Sequence, residues 1–381
     1  MSKKIKYICN GALVLILILI FIFIFWKDVD FGDTVIVQNA VSYEKGKVIK
    51  VLDEDTVESY PNLKTGSQKV LVKMKNKRFD KPITIENNLF SEHSVYLKEG
   101  SKVIVYVDEP KGIEPYYTIY NYDRSVPIAI MLLLFLIMLY AIGKSKGIKS
   151  AASLFISLYL MFCFMIPLIY LGHSPVWVTI LTCVLGSIYS VVILQGYTLI
   201  GLVNLISVSV GFISAAICFY ISSYFTHLSG YNLADVEGLL LINSKTGLQI
   251  YPLMFAGVAI AAYGACKDVS VSISSALHEI YVKNPKITKI ELFKSGMIIG
   301  KDIIGTMVDT LVFAFLGSSI ATVLVLISYG VDFNQLVSSD FFAVELVNSL
   351  IGTAVVIIMV PVSAYLSGVI YKKEKIKLKR R

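Results

Sequence analysis

From Ser150 to Ala234 the chain carries no Lys, Arg, Asp or Glu. A water-soluble fold has no way to clothe so long a stretch in charge. A bilayer accepts it, because hydrocarbon takes about 20 apolar residues per helical crossing. Composition agrees: of 381 residues 56% are hydrophobic and only 16% charged, with mean hydropathy +0.71. An ordinary soluble domain is about a quarter charged.

Apolar runs and their breaks predict about eight transmembrane helices. The first, Gly11 to Trp26, follows Lys3-Lys4-Ile5-Lys6 and precedes Lys27-Asp28-Val29-Asp30, with no small-x-small cleavage site, which reads as an uncleaved anchor. The others are Val126–Gly143, Lys149–Leu171, Val176–Leu194, Leu199–Tyr224, Leu248–Cys266, Ile303–Tyr329 and Glu345–Tyr371. The expected breaks within 150–225 are Pro167, Gly172-His173-Ser174-Pro175 and Gln195-Gly196.

Eight spans put both termini on one side, and the charges agree. Lys3, Lys4 and Lys6, then Lys144, Lys146 and Lys149, then the bases from Lys267 to Lys301, and finally Lys372 to Arg381 all fall on that side. The short opposite loops hold Lys245 beside Asp235, Glu237, Asp332 and Asp340. Such asymmetry marks the basic side as cytoplasmic. The layout is then an anchor (1–26), an extracytoplasmic β domain (27–124), a seven-helix membrane domain (125–371) with a cytoplasmic amphipathic segment at 267–301, and a basic cytoplasmic tail (372–381).

The polar segment alternates in short β-type stretches: Thr34–Gln38, Lys45–Leu52, Lys69–Met74, Lys81–Ile85 and Lys102–Val107. Turns are expected at Tyr60-Pro61-Asn62, Lys64-Thr65-Gly66, Glu86-Asn87-Asn88 and Lys98-Glu99-Gly100-Ser101. Short strands in that number predict a small all-β barrel or sandwich, OB-like among the choices, serving as a ligand- or partner-binding module or as a rigid spacer.

Several function classes find no support. The bases sit beside apolar runs rather than in a nucleic-acid-binding stripe, so no nucleic-acid partner is expected. The five cysteines lie in or beside apolar segments without a C-x-x-C pair, which predicts no metal site and no disulfide framework. No phosphate-binding G-x-x-x-x-G-K-[ST], zinc-protease or nucleophile-elbow motif occurs, so neither an enzyme nor a cofactor is expected.

Polar residues in the second half are the candidates for function, since ionisable groups in a membrane are costly and often mark substrate paths. Between Lys267 and Ile280, the residues Val269, Ile273, Ala276, Leu277 and Ile280 share one helical face, while Lys267, Ser270, Ser274 and Glu279 fall elsewhere. This predicts an amphipathic helix, at the cytoplasmic surface or folded back on the bundle. It carries Asp268, His278 and Glu279. A second such stretch, Thr288–Gly300, leads into Asp302 and Asp309, which share a face with Gly305 and Thr306 between them. Small residues there predict close helix approach. Asp309 lies about 10 Å deeper than Asp302 at 1.5 Å per residue, either protonated, paired or lining a wet cavity. Pro167, Pro252 and Pro361 interrupt spans, as plain kinks or as broken helices near a site.

The segment Gly264–Ile280, the segment Gly300–Leu311, Glu345 with Pro361, and Gly46–Val57 followed by Thr84-Ile85-Glu86-Asn87-Asn88 together resemble the YibE/F family of bacterial multi-pass membrane proteins. The resemblance implies a polytopic protein of the bacterial cytoplasmic membrane and no defined activity. Two functions fit: an ion-coupled secondary transporter or permease for a small molecule or ion, and a non-catalytic envelope scaffold or signalling factor that engages a protein partner through its outward domain.

Overall fold

The computed structural model describes residues 41–110, 112–228, 230–231 and 236–379. The anchor and the strand expected at Thr34–Gln38 lie outside them. The described residues divide into two compact units between Leu139 and Tyr140.

The first unit holds five antiparallel strands: β1 (Val41–Tyr60), β2 (Leu63–Met74), β3 (Ile83–Leu89), β4 (Lys102–Asp108) and β5 (Tyr116–Tyr122), in the order β3-β2-β1-β4-β5. β1 is long enough to pair with β2 along its length and with β4 at its start. The sheet curves into a half-barrel, matching the barrel-like expectation. Its concave side is filled by alternating residues such as Val48, Val70, Val72, Ile85, Val103 and Val105, all buried.

Two expected turns are strand instead. The β1–β2 hairpin turns at Pro61 and Asn62, where Asn62 takes φ 67°. Lys64-Thr65-Gly66 therefore runs inside β2, with Gly66 at φ 126° and its Cα against the Asp55 carbonyl, where no side chain fits. Glu86-Asn87-Asn88 lies in β3. Asn87 reads locally as a turn residue, but here it is buried and donates to the Val95 carbonyl at 2.9 Å. β5 was missed, although its Tyr-rich sequence has high strand propensity.

Glu54 shows how the sheet holds the crossing chain. Its carboxylate accepts from Thr56 Oγ1 (2.7 Å), Lys64 Nζ (3.1 Å), Gln68 Nε2 (3.1 Å) and Tyr96 Oη (3.1 Å). These donors, Thr56 foremost, hold its pKa down at about 2 against an ordinary 4.5. A depressed carboxylate stabilises the fold above its unfolded pKa, and that share is lost as pH falls through the folded one. Acidification from pH 4.5 to 2 is therefore expected to lower the unfolding midpoint of this unit. Glu54→Gln should flatten that part of the profile, as followed by circular dichroism. An unchanged slope in the variant would remove Glu54 from the acid response.

Helix α1 (Ser125–Leu160) leads from this unit into the second. It is followed by a π turn (Met161–Met165), α2 (Ile166–Tyr170), α3 (Pro175–Leu194), α4 (Leu199–Thr226), α5 (Val236–Thr246), α6 (Ile250–Lys283), α7 (Lys289–Ser318), α8 (Ile320–Ser328), α9 (Phe333–Val337) and α10 (Asp340–Lys379). Among the described residues five helices are long and apolar enough to cross a membrane, or six if α7 and α8, bent by 57°, form one span.

The breaks at Gly172–Pro175 and Gln195–Gly196 fall where expected, with Gly172 (φ 85°) and Gly196 (φ 69°) in the left-handed region. Other boundaries differ. The break expected between Gly143 and Lys149 falls at Lys144 (φ 46°, ψ −127°), where two helices meet across a kink rather than through a longer connection. The run Ser125–Tyr170 thus spans 46 residues. The π turn precedes Pro167 and relieves the clash a proline ring makes with the preceding turn. Pro252 sits in the first turn of α6, where no intrahelical donor is lost, so it interrupts nothing. The short helix α5 was not anticipated.

The largest corrections concern 267–301. The sixth span and the amphipathic stretch after it form one uninterrupted helix, α6. Its inward face includes Ser270 and Ser274 as well as Val269, Ile273 and Leu277, all buried. Likewise α7 starts at Lys289, fourteen positions before the expected span, under a capping box between Thr288 and Glu291.

The core of this unit is formed by α4, α6 and α10, with α7 packed along α10. Small residues set these approaches. A Cβ on Gly211 would stand 2.6 Å from Met359 Sδ, and one on Gly296 would stand 2.7 Å from Ala364 Cβ. At Gly300 it would run into Val360. Gly296 and Gly300 are four apart on the face of α7 that meets α10, the spacing that lets two membrane helices touch backbone to backbone.

Candidate functional site

A groove of about 410 Å³ opens between α1, the π turn, α3 and α6. Ser150 and Met165 both line it, so it runs roughly 20 Å along the helix axis. Its polar residues gather towards one end, where Ser150 and Ser153 of α1 meet Lys267 and Asp268 of α6. Towards the other end it is walled by Met161, Met165 and Ile260.

The helices position these groups by their own periodicity. On α6, Ile260, Tyr263, Gly264, Lys267 and Asp268 recur at three- and four-residue steps and so form one stripe. On α1, Ser150, Ser153 and Ser157 do the same. Glycine makes the wall thin: a Cβ on Gly186 of α3 would stand 2.8 Å from the Tyr263 hydroxyl oxygen. That hydroxyl is enclosed beside those of Ser157 and Ser187, with no well-formed hydrogen bond to either. The Lys267 ammonium lies 5.2 Å from the centre of the Tyr263 ring, where the ring face attracts a cation.

The hydroxyls share one further property. Ser157 donates to the Ser153 carbonyl (3.0 Å), Thr182 to Val178 (2.7 Å) and Ser187 to Cys183 (2.8 Å). Their protons are committed to helix carbonyls, which leaves the oxygens free to accept. Ser157 and Thr182 line the groove with the Asp268 carboxylate and make it rich in acceptors, suited to a proton donor or a cation, with Lys267 as the one positive charge among the lining residues.

Of the candidates Asp268, His278, Glu279, Asp302, Gly305, Thr306 and Asp309, only Asp268 lines this groove. His278 packs edge-on against the Tyr371 ring with centroids 5.3 Å apart, and the Tyr371 hydroxyl donates to the Ser274 carbonyl (2.9 Å). These contacts tie α6 to α10. Glu279 is exposed. Asp302, Gly305, Thr306 and Asp309 lie on an exposed face of α7. The Thr306 and Thr310 hydroxyls there bond back to their own helix, and a Cβ on Gly305 would meet nothing within 4 Å. The close approach expected at Gly305 takes place at Gly296 and Gly300 instead.

Sequence reasoning also missed Tyr263, Ser157 and Thr182. Each is an ordinary residue in an apolar helix, and only the meeting of three helices gives it a role. Lys267 was legible as a charge at the end of an apolar run, although its neighbours were not.

The profile of a family described as YibE/F-like protein matches residues 131–373. The match takes in every residue that lines the groove. No curated protein and no solved structure matches the chain.

Proposed function

We propose, from the premise that the chain belongs to the YibE/F-like family, that it is an ion-coupled secondary transporter or permease of the bacterial cytoplasmic membrane. In this reading the polypeptide crosses eight times with both termini cytoplasmic. The anchor supplies one crossing, and the 46-residue run from Ser125 to Tyr170 supplies two. That run measures roughly 70 Å at 1.5 Å per residue, more than twice a hydrocarbon core of about 30 Å, and Lys144 breaks it. The positive-inside bias sets the orientation, which puts the β domain outside.

The single observation that carries the transport reading is the groove with Lys267 and Asp268 at its polar end. A lysine and a carboxylate side by side on a membrane helix are costly without a role or a partner. In this mechanism Asp268 and the acceptor hydroxyls take up a cation or proton, and Lys267 holds the site near neutrality when it is empty.

The test is flux of protons and metal ions into liposomes carrying the purified protein. Asp268→Asn is expected to cut flux at least tenfold, while Asp309→Asn, on the exposed face of α7, keeps it. Full flux in Asp268→Asn would remove this groove from the path. No flux in the wild type under any imposed proton or metal gradient would shift the reading to the second one.

That second reading is an envelope scaffold or signalling factor working through the β domain. It is favoured by an exposed aromatic group on the sheet, where Tyr43 meets Tyr106 and Tyr120 edge to face at 5.6 and 5.0 Å. Crosslinking of the intact protein followed by partner identification distinguishes the two, since a scaffold loses its partners when these tyrosines become serine and a carrier keeps its flux.

A further inference from the structure

We propose that a lysine-lined cleft in the β-domain unit binds the phosphate headgroups of anionic phospholipids. The cleft measures about 750 Å³ and is lined by Lys45, Lys47, Lys73, Lys75 and Lys102, with Asp123 its one carboxylate. That carboxylate belongs to Lys45, which it meets at 3.4 Å and which also donates to Ser125 Oγ at 2.6 Å. The same Ser125 donates through both its hydroxyl and its backbone N–H to Asp123. Among the described residues the other four lysines have no ion-pair partner.

Register makes this more than a basic patch. Lys47 of β1 stands directly opposite Lys73 of β2 on one side and Lys102 of β4 on the other. Direct cross-strand partners point to the same face, so three ammonium groups stand in one row across three adjacent strands. Strands are spaced by about 4.8 Å, and like charges directly opposite one another destabilise a sheet. The row costs stability by itself and becomes favourable once an anion bridges it. Tetrahedral phosphate presents several acceptor oxygens to such a row at once.

The location favours a lipid over a soluble phosphate. Val126, in the first turn of α1, lines the same cleft. The helix that starts there exposes Ile128, Ile130, Leu133, Phe135 and Ile137 on its way to Leu139, a surface that only hydrocarbon solvates well. The cleft therefore opens where an apolar helix leaves the polar domain, at the depth of the headgroups. Tyr43 lies two residues before Lys45 on the same face of β1, and with Tyr106 and Tyr120 it forms the kind of amphipathic ring group that settles at a membrane–water interface.

The test uses the full-length protein, stripped of lipid in a zwitterionic detergent and titrated with phosphatidylglycerol or phosphatidylcholine. Bound lipid is counted by native mass spectrometry and the unfolding midpoint is recorded. Each base near a lipid surface is worth about 1 kcal/mol, or about fivefold in affinity. The triple variant Lys47→Gln, Lys73→Gln, Lys102→Gln is expected to lose about 100-fold in phosphatidylglycerol affinity. Its lipid-free midpoint should be no lower than that of the wild type, since the repulsion has gone. If the triple variant fails to fold, Lys47→Gln alone is expected to lose about fivefold. Wild-type affinity in the folded variants would overturn the proposal. So would inorganic phosphate binding as tightly as the lipid and with the same lysine dependence, which would make the ligand a soluble phosphate compound.

Discussion

Gly300→Leu is expected to abolish most of the folded, detergent-soluble protein, while Gly305→Leu, only five residues on, leaves the yield unchanged. At Gly300 even a methyl group overlaps Val360, and at Gly305 it enters open space. Forcing extra methylenes into a packed interface costs about 1–3 kcal/mol and sometimes more. Leucine at this contact belongs at the upper end, because the neighbour on α10 is a β-branched side chain whose χ1 has few alternatives. Gly296→Leu should act like Gly300→Leu, since Ala364 and Leu277 both stand within 3 Å of its added Cβ. Total stabilities run at about 5–15 kcal/mol, so a loss near 3 kcal/mol shows as a large fall in unfolding midpoint and in monodisperse yield on size-exclusion chromatography. Equal losses at Gly300 and Gly305 would mean that α7 does not meet α10 through this face.

Gln68→Ala is expected to cost the β domain about 3 kcal/mol. Gln68 is buried, and its amide is used on both sides. Nε2 donates to the Leu97 carbonyl and to Glu54 Oε2, both at 3.1 Å, and Oε1 accepts from the Leu97 N–H at 2.9 Å and from Asn87 Nδ2 at 3.4 Å. The pair of bonds to Leu97 copies a strand ladder, so this one side chain pins Leu97 to the sheet where no strand partner does, while Asn87 and Tyr122 hold the Val95 and Tyr96 carbonyls. Truncation strands a buried N–H and a buried carbonyl, each of which costs about 1–3 kcal/mol when left unmade. Hydrogen exchange at the Leu97 amide gives the local readout. Protection in the wild type should be lost in Gln68→Ala and partly kept in Gln68→Glu, which retains the acceptor. Persisting protection in Gln68→Ala would show that Leu97 is held by something else.

Both results turn on residues whose importance the sequence conceals. Glycines are frequent in this chain, and nothing local separates Gly300 from Gly305. Which one touches a partner depends on where α10 lies, a contact between positions about sixty residues apart. Gln68 looks like any polar residue in an alternating strand, yet it falls on the inward face. Asn87 is the clearest case. By composition Glu86-Asn87-Asn88 is a turn, and it becomes strand because a buried carbonyl and the Gln68 amide satisfy its side chain.

What the sequence decided by itself was the solvent and the alternation. A stretch without charge from Ser150 to Ala234 admits only a membrane, because burying uncompensated backbone and apolar surface leaves helices as the available form. Alternation in the polar segment made it a curved sheet. Gly172, Pro175 and Gly196 placed breaks through backbone conformations that need no tertiary help. The tertiary structure decided which polar groups share a space. Asp268 joins Lys267, Ser153 and Tyr263 in one groove, while Asp302 and Asp309 stay on an exposed helix face, although both carboxylate positions looked alike in sequence. Helical periodicity assigns a residue to a face, but whether that face meets lipid, another helix or a cavity is set by helix–helix packing, and that depends on small residues far apart in the chain.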